Sequence, residues 1–161
     1  MAWGVGPKGW GVGEIIVRLG LALLAALNLW WGVWARVAPR HFFDTFPGGG
    51  QRWTAAYPPY NEHLVTDLGA TFLTLGFLLV VASISSEPAV RRVVLAAVTL
   101  FGALHLLFHA TESGQMGGSS YAASLVALFA GVLLPGGLLA LDLLRRRRRP
   151  PHGDHEVGDS I

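Results

Sequence analysis

Four long stretches of the chain contain no Asp, Glu, Lys or Arg, and this feature limits the possible folds more than any other. They comprise residues 19–35, 68–86, 93–111 and 113–141. A helix needs about 20 predominantly apolar residues to cross the hydrocarbon core of a bilayer. The pattern therefore predicts an all-α integral membrane protein, a four-helix bundle whose spans cover about residues 14–37, 62–83, 89–109 and 121–144.

The composition agrees with a membrane environment. Of the 161 residues, 52% are hydrophobic and 14% are charged, whereas soluble domains carry about 25% charged residues. This balance excludes a disordered chain and argues against a water-soluble globule. The sequence contains no cysteine, which excludes disulfides, thiolate metal sites, cysteine nucleophiles and iron–sulfur clusters.

The basic residues predict an orientation, because short cytoplasmic loops of membrane proteins are enriched in Lys and Arg. With both termini in the cytoplasm, nine of the 12 basic residues lie inside: Lys8, Arg18, Arg91, Arg92 and residues 145–149. The other three, Arg36, Arg40 and Arg52, lie outside. We expect a multi-pass protein of the bacterial inner membrane with a cytoplasmic segment 1–13, a membrane domain 14–144, and a tail 145–161 that is first basic and then disordered.

The predicted outer loop, residues 38–61, is too aromatic for a solvated linker. It contains Phe42, Phe43, Phe46, Trp53, Tyr57 and Tyr60, and we expect it to fold back on the bundle as an aromatic extracytoplasmic loop cap. The glycine run at 48–50 lacks the Lys and Ser/Thr of a phosphate loop, so it favours a turn. The five arginines at 145–149 directly follow a span, which favours contact with anionic lipid over nucleic acid.

A group of ionisable residues falls toward the predicted outer side of the second and third spans. The candidate ligands are His63, Asp67, His105, His109 and Glu112. Residues spaced by three or four share a helix face, which relates His63 to Asp67 and His109 to both His105 and Glu112. A short inner turn makes these two spans antiparallel neighbours, so we expect Asp67 to lie between the two histidines in depth.

Four interpretations of this group stay open at the sequence level. Polar residues at membrane depth usually face the bundle interior and pair there, so one interpretation is a structural hydrogen-bonded cluster. A second is a transition-metal site, since imidazole and carboxylate ligands suit zinc, iron, copper or manganese. A third makes His105 or His63 the axial ligand of a haem or related macrocycle, and a bis-His haem would need His63 together with His105 or His109. The fourth is a proton-linked or small-ligand site.

Several other polar residues have simpler interpretations. Glu14 and Arg18 are spaced to form an ion pair on the first helix. Asn28 is expected to form a hydrogen bond between helices. Asp142 is expected to pair with the arginines that follow it, and Arg36, Arg40 and Arg52 with the outer carboxylates. Asn61 is a suitable N-cap for the second span, and Glu62 suits its positive first turn.

One stretch of the sequence resembles a known group of proteins. Residues 34–69 read WARVAPRHFFDTFPGGGQRWTAAYPPYNEHLVTDLG, and residues 105–112 read HLLFHATE. The FPGGG…W…PYNEHL…D pattern resembles small four-helix integral membrane proteins of bacteria that are common in actinobacteria, over about residues 21–112. The resemblance implies a four-helix membrane fold and the joint use of Asn61, Glu62, His63, Asp67, His105 and His109. It implies no reaction.

Three classes of function fit these features. The small size, the Trp-rich first span and the lack of a defined catalytic motif favour an accessory or structural subunit of a larger membrane complex. The alternatives are a metal-binding protein or metal-dependent enzyme that acts at the outer face, and an oligomeric carrier of a small molecule or ion. The expected partners are the lipid bilayer and either other membrane subunits or further copies of the chain. Whether the protein is an enzyme is left open by the sequence.

Overall fold

The structure is a computed structural model that describes residues 11–147, and that part of the chain is all-α. In chain order the helices are α1 (Val12–Val37), α2 (Pro39–Thr45), α3 (Glu62–Ile84), α4 (Pro88–Thr111) and α5 (Gly118–Arg147). By length and composition, α1, α3, α4 and α5 can each cross a membrane. The prediction of an all-α chain with four such helices is confirmed.

Local sequence signals set several helix ends. The side-chain oxygen of Asn61 accepts a hydrogen bond from the backbone N–H of Leu64 at 3.2 Å, which confirms the predicted N-cap of α3. Pro39 and Pro88 begin α2 and α4, where the missing N–H removes no helical hydrogen bond. Because α2 has only seven residues, its helix is too short to show a periodic pattern, and the sequence placed it in a loop.

The predicted boundaries differ from the structure by a few residues. α1 begins at Val12, and α5 begins at Gly118 and continues through Pro135 to Arg147. Most of the predicted segment 1–13 and of the predicted tail 145–161 lies outside the described residues. The predicted disorder of that tail therefore concerns residues 148–161, of which the structure describes nothing.

The long helices pack mainly as two pairs, α1 with α3 and α4 with α5. Glycines bring the backbones of the first pair together. A Cβ atom added to Gly32 would lie 2.8 Å from the backbone nitrogen of Leu73 and 3.0 Å from the carbonyl oxygen of Gly69. Small residues permit this close approach in membrane helices, so glycine at position 32 is a steric requirement of the pair.

All four long helices meet at one end of the molecule, around a shared apolar core. Its buried members are Val17, Leu21, Leu24, Ala25, Leu79, Ala82, Val94, Leu95 and Val98, and Leu138, Leu139 and Leu141 of α5 pack against them. Four arginines lie close to this core, so we call this the arginine end. Residues 38–61 and 112–117 lie at the opposite end, which we call the loop end.

A second core lies at the loop end. Its buried members are Ala35, Phe42, Phe43 and Val65, and the residues packed around them come from α1, α3 and the loop that follows α2. α4 adds no member to this core. The two helix pairs therefore share an apolar core at the arginine end, whereas at the loop end a buried core is built on α1, α2 and α3.

Replacing Gly32 by alanine should loosen the α1–α3 pair. The added methyl group meets backbone atoms of α3 that cannot rotate away, and overpacking of this kind costs about 1–3 kcal/mol. The measurement is the free energy of unfolding in mixed micelles, followed by circular dichroism as the denaturing detergent is raised. Gly131→Ala is the matched control, because no atom lies within 4 Å of its added Cβ. Equal losses for both variants would contradict the proposed steric role.

Candidate functional site

The two histidines of α4 lie side by side at the loop end. The ring centroids of His105 and His109 are 4.7 Å apart, and the His105 ring stacks on Phe101 with centroids 5.9 Å apart. The i,i+4 spacing predicted this shared face. The histidines therefore form one continuous surface with an aromatic ring below them and, as the next contacts show, a tyrosine above.

Tyr57 connects the outer loop to α4. Its hydroxyl lies 2.8 Å from Nδ1 of His109 and donates a hydrogen bond to the backbone carbonyl of Glu112. A carbonyl oxygen can only accept, so the single hydroxyl proton is used there. The contact with His109 then requires a proton on Nδ1, which fixes the tautomer of that imidazole and leaves Nε2 as its acceptor nitrogen. Sequence reasoning missed this role of Tyr57, since only the fold brings residues 57 and 109 together.

Other hydrogen bonds fasten the same loop to the start of α5. Ser120 donates to the side-chain oxygen of Gln51 at 2.7 Å, and the indole N–H of Trp53 donates to both of these residues. The backbone N–H of Gln115 donates to the carbonyl of Ala56 at 2.9 Å. Tyr121 donates to the carbonyl of His109 at 2.8 Å. The loop after α2 is thus attached both to the start of α5 and to residues 112–117, the segment that joins α4 to α5.

The predicted ligands on α3 lie on a different surface. His63 Nε2 is 3.4 Å from a carboxylate oxygen of Asp67, and their side chains are 81% and 63% exposed. Asn61 caps α3, and Glu62 is exposed at the first position of that helix. Glu112, at the end of α4, accepts the hydrogen bond from Tyr57 through its backbone carbonyl. The spacing of His63 and Asp67 predicted their contact correctly, but the pair points away from the core of the molecule.

The predicted five-residue metal site is therefore not supported by the structure. Within residues 11–147, no group of three or more His, Asp or Glu side chains is arranged to hold a metal ion. The expected ligands divide into the exposed pair on α3 and the two histidines on α4. The physical reason is the pairing of helices: α3 packs on α1, and α4 packs on α5. A similar depth along two helices does not determine which faces they turn toward each other.

An open cleft of about 580 Å³ lies beside α2 at the loop end. Its lining includes Arg40, Asp44, Arg52 and the three glycines at 48–50. These three glycines have positive φ angles between 62° and 104°. Arg40 Nε lies 2.7 Å from the Asp44 carboxylate, as the expected ionic pairing predicted, and Arg52 donates to the Asp44 carbonyl. The glycine run therefore forms a turn whose flanking arginines are anchored on one aspartate.

A second polar layer lies at the arginine end, and it is much more buried. The predicted pair of Glu14 and Arg18 is confirmed at 3.0 Å, and Arg145 of α5 also reaches Glu14, at 3.2 Å. Arg18 further donates to the carbonyls of Ser83 and Ser85 at the end of α3. These bonds tie α1 to both α3 and α5.

Asp142 completes this layer with partners that the sequence did not predict. It was expected to pair with the arginines that follow it, but it binds Arg91 at 3.3 Å and Arg92 at 2.8 Å, both on α4. The side chains of Asp142 and Arg91 are only 3% and 5% exposed. The predicted helix–helix bond of Asn28 is also wrong, because its amide donates to the Leu24 carbonyl of the same helix. In both cases the folded geometry selected a partner that spacing alone could not identify.

Removing the hydroxyl of Tyr57 should destabilise the loop end. Tyr57→Phe removes the hydrogen bonds to His109 Nδ1 and to the Glu112 carbonyl, and a hydrogen bond of this kind contributes about 0.5–1.5 kcal/mol. The free energy of unfolding in micelles measures the loss. His63→Ala is the control, because the exposed side chain should contribute less than about 0.5 kcal/mol. A loss in the control as large as that in Tyr57→Phe would rule out the assigned role.

Alkaline pH should weaken the same contact. Burial raises the pKa of Tyr57 above its ordinary value of 10.0, and the nearby Tyr121 and Glu112 act in the same direction. A raised pKa in the folded state means that this contribution to stability is complete below pH 10 and decreases as the pH rises through the folded pKa. Between pH 9 and 11 (about one unit on either side of the ordinary tyrosine value), the free energy of unfolding should therefore fall less steeply for Tyr57→Phe than for the wild type. Identical slopes would contradict the assignment.

Comparison with known proteins adds no assignment to these sites. Neither a protein-family model, nor a curated protein, nor a solved structure matches the chain. The functional interpretation therefore depends on two observations from the chain itself, the exposed polar pair on α3 and the apolar character of the other exposed helix faces.

Proposed function

We propose that this protein is a multi-pass protein of the bacterial inner membrane that serves as an accessory or structural subunit of a larger membrane complex. The observation that carries the proposal is the exposed pair His63 and Asp67 on a membrane-length helix. We further propose that the chain belongs with the small four-helix membrane proteins that its FPGGG…PYNEHL pattern resembles.

The placement of basic residues supports the orientation with both termini in the cytoplasm. Arg18, Arg91, Arg92 and Arg145 lie at the arginine end, and in the sequence Arg145 begins a run of five arginines. The loop end carries Arg36, Arg40 and Arg52. By the preference of basic loops for the cytoplasm, the arginine end is the inner end and the loop end is the outer one.

Aromatic contacts at the loop end support the proposed outer cap. Phe46 lies at the centre of these contacts, with its ring 4.6 Å from that of Phe42, 5.6 Å from that of Trp31 and 6.3 Å from that of Trp53. The ring of Tyr60 packs edge-on against Phe43 at 5.3 Å. Rings in such arrangements contribute about 0.5–1.5 kcal/mol per pair beyond their burial. An ordered cap of this kind gives a partner protein a fixed outer surface.

The exposed face of α3 carries two ionisable side chains near the start of the helix. Its exposed positions include His63, Asp67, Ala70 and Thr74, which are spaced by three or four and therefore form one stripe. Farther along α3 the exposed residues are large and apolar, for example Phe77 and Ile84, as are many exposed residues of α1 and α4, for example Leu23 and Leu100. Lipid tails suit the second kind of surface, whereas ionisable side chains in a span normally face protein or water.

The stripe on α3 also has the composition of a helix-docking surface. Ala70 and Thr74 are small, which lets a second backbone come close, and the Thr74 hydroxyl is already bonded to the Ala70 carbonyl. Asp67 lies about 7.5 Å along the axis from Glu62 at 1.5 Å per residue, just inside the end of the span. The stripe therefore fits a partner helix that presents a donor or cationic side chain near its outer end.

The other two interpretations have weaker support. A metal centre would need ligands that the described residues do not bring together, and for a carrier the middle parts of the four long helices contain no Asp, Glu, Lys or Arg. The accessory role requires only the α3 stripe and the ordered loop end.

Photo-crosslinking in the native membrane tests this proposal. A photoreactive amino acid at position 70 should produce a discrete adduct with a different protein, whereas the same probe at Leu23 on the apolar face of α1 should label lipid alone. Asp67→Asn should reduce the adduct about fivefold, because a polar contact between membrane helices contributes about 1 kcal/mol.

The outcome has three forms. An adduct with a distinct protein from position 70, absent at position 23, supports the accessory role. An adduct only with a second copy of this chain shows self-association and contradicts it. Equal labelling from both positions shows that the α3 stripe faces lipid, and it contradicts the proposal as well.

A further inference from the structure

An apolar groove follows the seam between α1 and α5. It has a volume of about 300 Å³ and is lined entirely by leucine and glycine: Gly20, Leu23, Leu24, Leu27, Leu133, Leu134, Gly137, Leu138 and Leu141. The lining spans residues 20–27 of α1 and 133–141 of α5, or about 10–12 Å along each axis at 1.5 Å per residue. A dry, elongated groove with only methyl and methylene walls matches an acyl chain.

The groove leads to the arginine end. Leu134, Leu138, Leu141 and Arg145 are spaced by four, three and four residues, so they follow one face of α5. The contacts of α1 agree: a Cβ on Gly20 would meet the side chain of Leu138, and a Cβ on Gly13 would meet that of Arg145 at 2.9 Å. Arg145 therefore lies at the arginine end of the same seam that forms the groove.

The arginine network has donors that the described residues leave unused. Within residues 11–147, Arg145 Nη1 and Arg91 Nε are buried without a hydrogen-bond partner. The Arg91 side chain is only 5% exposed, whereas the Arg145 side chain is 25% exposed through atoms other than the buried Nη1, so only Arg145 can be contacted from outside. A buried donor without a partner is costly, and a buried cation is more so. An anion that contacts Arg145 would reduce the cost of the buried positive charge.

The charge of the network points in the same direction. Its ion pairs join four guanidinium groups, those of Arg18, Arg91, Arg92 and Arg145, to two carboxylates, those of Glu14 and Asp142. The layer thus contains two more cationic than anionic groups. Guanidinium groups bind phosphate through paired N–H bonds, and basic pockets between membrane helices bind phosphorylated lipid headgroups.

We propose that the α1–α5 seam is a binding site for an anionic phospholipid. One acyl chain occupies the leucine groove, and the phosphate accepts hydrogen bonds from Arg145 at the edge of the buried network. The apolar groove commits the site to a lipid, because a free phosphate ion would use only the arginine end. The proposal depends on membrane placement and is independent of the accessory role and of the α3 stripe.

Native mass spectrometry of the full chain tests the headgroup. After removal of endogenous lipid in detergent, phosphatidylglycerol and phosphatidylcholine with identical acyl chains are titrated separately. We expect phosphatidylglycerol to bind about tenfold more tightly, and Arg145→Gln to reduce its affinity about fivefold, in line with the contribution of one arginine near an anionic lipid surface. Arg36→Gln removes the same charge from an exposed position at the other end and should leave the affinity unchanged.

A second pair of variants tests the groove. Gly137 lines the groove, and an added Cβ there meets no atom within 4 Å, so Gly137→Leu places its side chain in the open groove. It should weaken binding of both lipids. Gly131 has equally open surroundings and lies outside the groove, so Gly131→Leu should bind like the wild type. Because both changes lie on exposed positions of α5, the groove test still applies if Arg145→Gln does not fold.

Several results would overturn the proposal. Equal affinity for the two lipids would remove the role of the arginines, and equal binding by Gly137→Leu and Gly131→Leu would remove that of the groove. Displacement of phosphatidylglycerol by inorganic phosphate, with no effect of Gly137→Leu, would reassign the site to a free anion. None of these results would alter the crosslinking expected at position 70, so the two proposals can fail separately.

Discussion

The cost of placing charge in hydrocarbon organises this molecule. The four long helices keep ionisable side chains near their ends, and each end then satisfies its polar groups in a different way. At the arginine end, guanidinium groups and carboxylates form a buried network across α1, α4 and α5. At the loop end, neutral hydrogen bonds from Tyr57, Tyr121 and Ser120 join the outer loop and the helices, and the ion pair of Arg40 and Asp44 lies at the surface. The packing between the ends is left to leucine, valine, alanine and glycine.

The arginine network compensates for a weakness in the helix packing. α1 and α3 form one close pair and α4 and α5 another, and only the core at the arginine end joins them extensively. One ion pair crosses this division, since Glu14 on α1 meets Arg145 on α5. Removing one member of a buried pair leaves an uncompensated charge and costs about 3–5 kcal/mol. The network therefore fixes which helices are neighbours, as well as satisfying its own charges.

The sequence predicted those features that depend on local spacing. The four spans, the Asn61 cap and the pairs Glu14–Arg18 and His63–Asp67 all follow from charge-free length or from i,i+3 and i,i+4 relations within one helix. Features that join distant segments were missed or misplaced. Asp142 binds α4 in place of its own helix, and Tyr57 reaches His109 across 52 positions of sequence. Helix depth can be counted from a turn, but the rotation of each helix about its axis is decided by packing.

That rotation separates the surfaces to which we assign functions. Because α3 turns its glycine face to α1, its polar stripe of His63, Asp67, Ala70 and Thr74 is directed outward. α1 has a second neighbour in α5, and the leucine groove follows that seam. A protein partner on the α3 stripe and a lipid in the α1–α5 groove would therefore occupy different faces of the molecule. A phosphate held at Arg145 would lie beside the Glu14–Arg145 bond that joins the two helix pairs, so lipid binding and this junction would use the same guanidinium group.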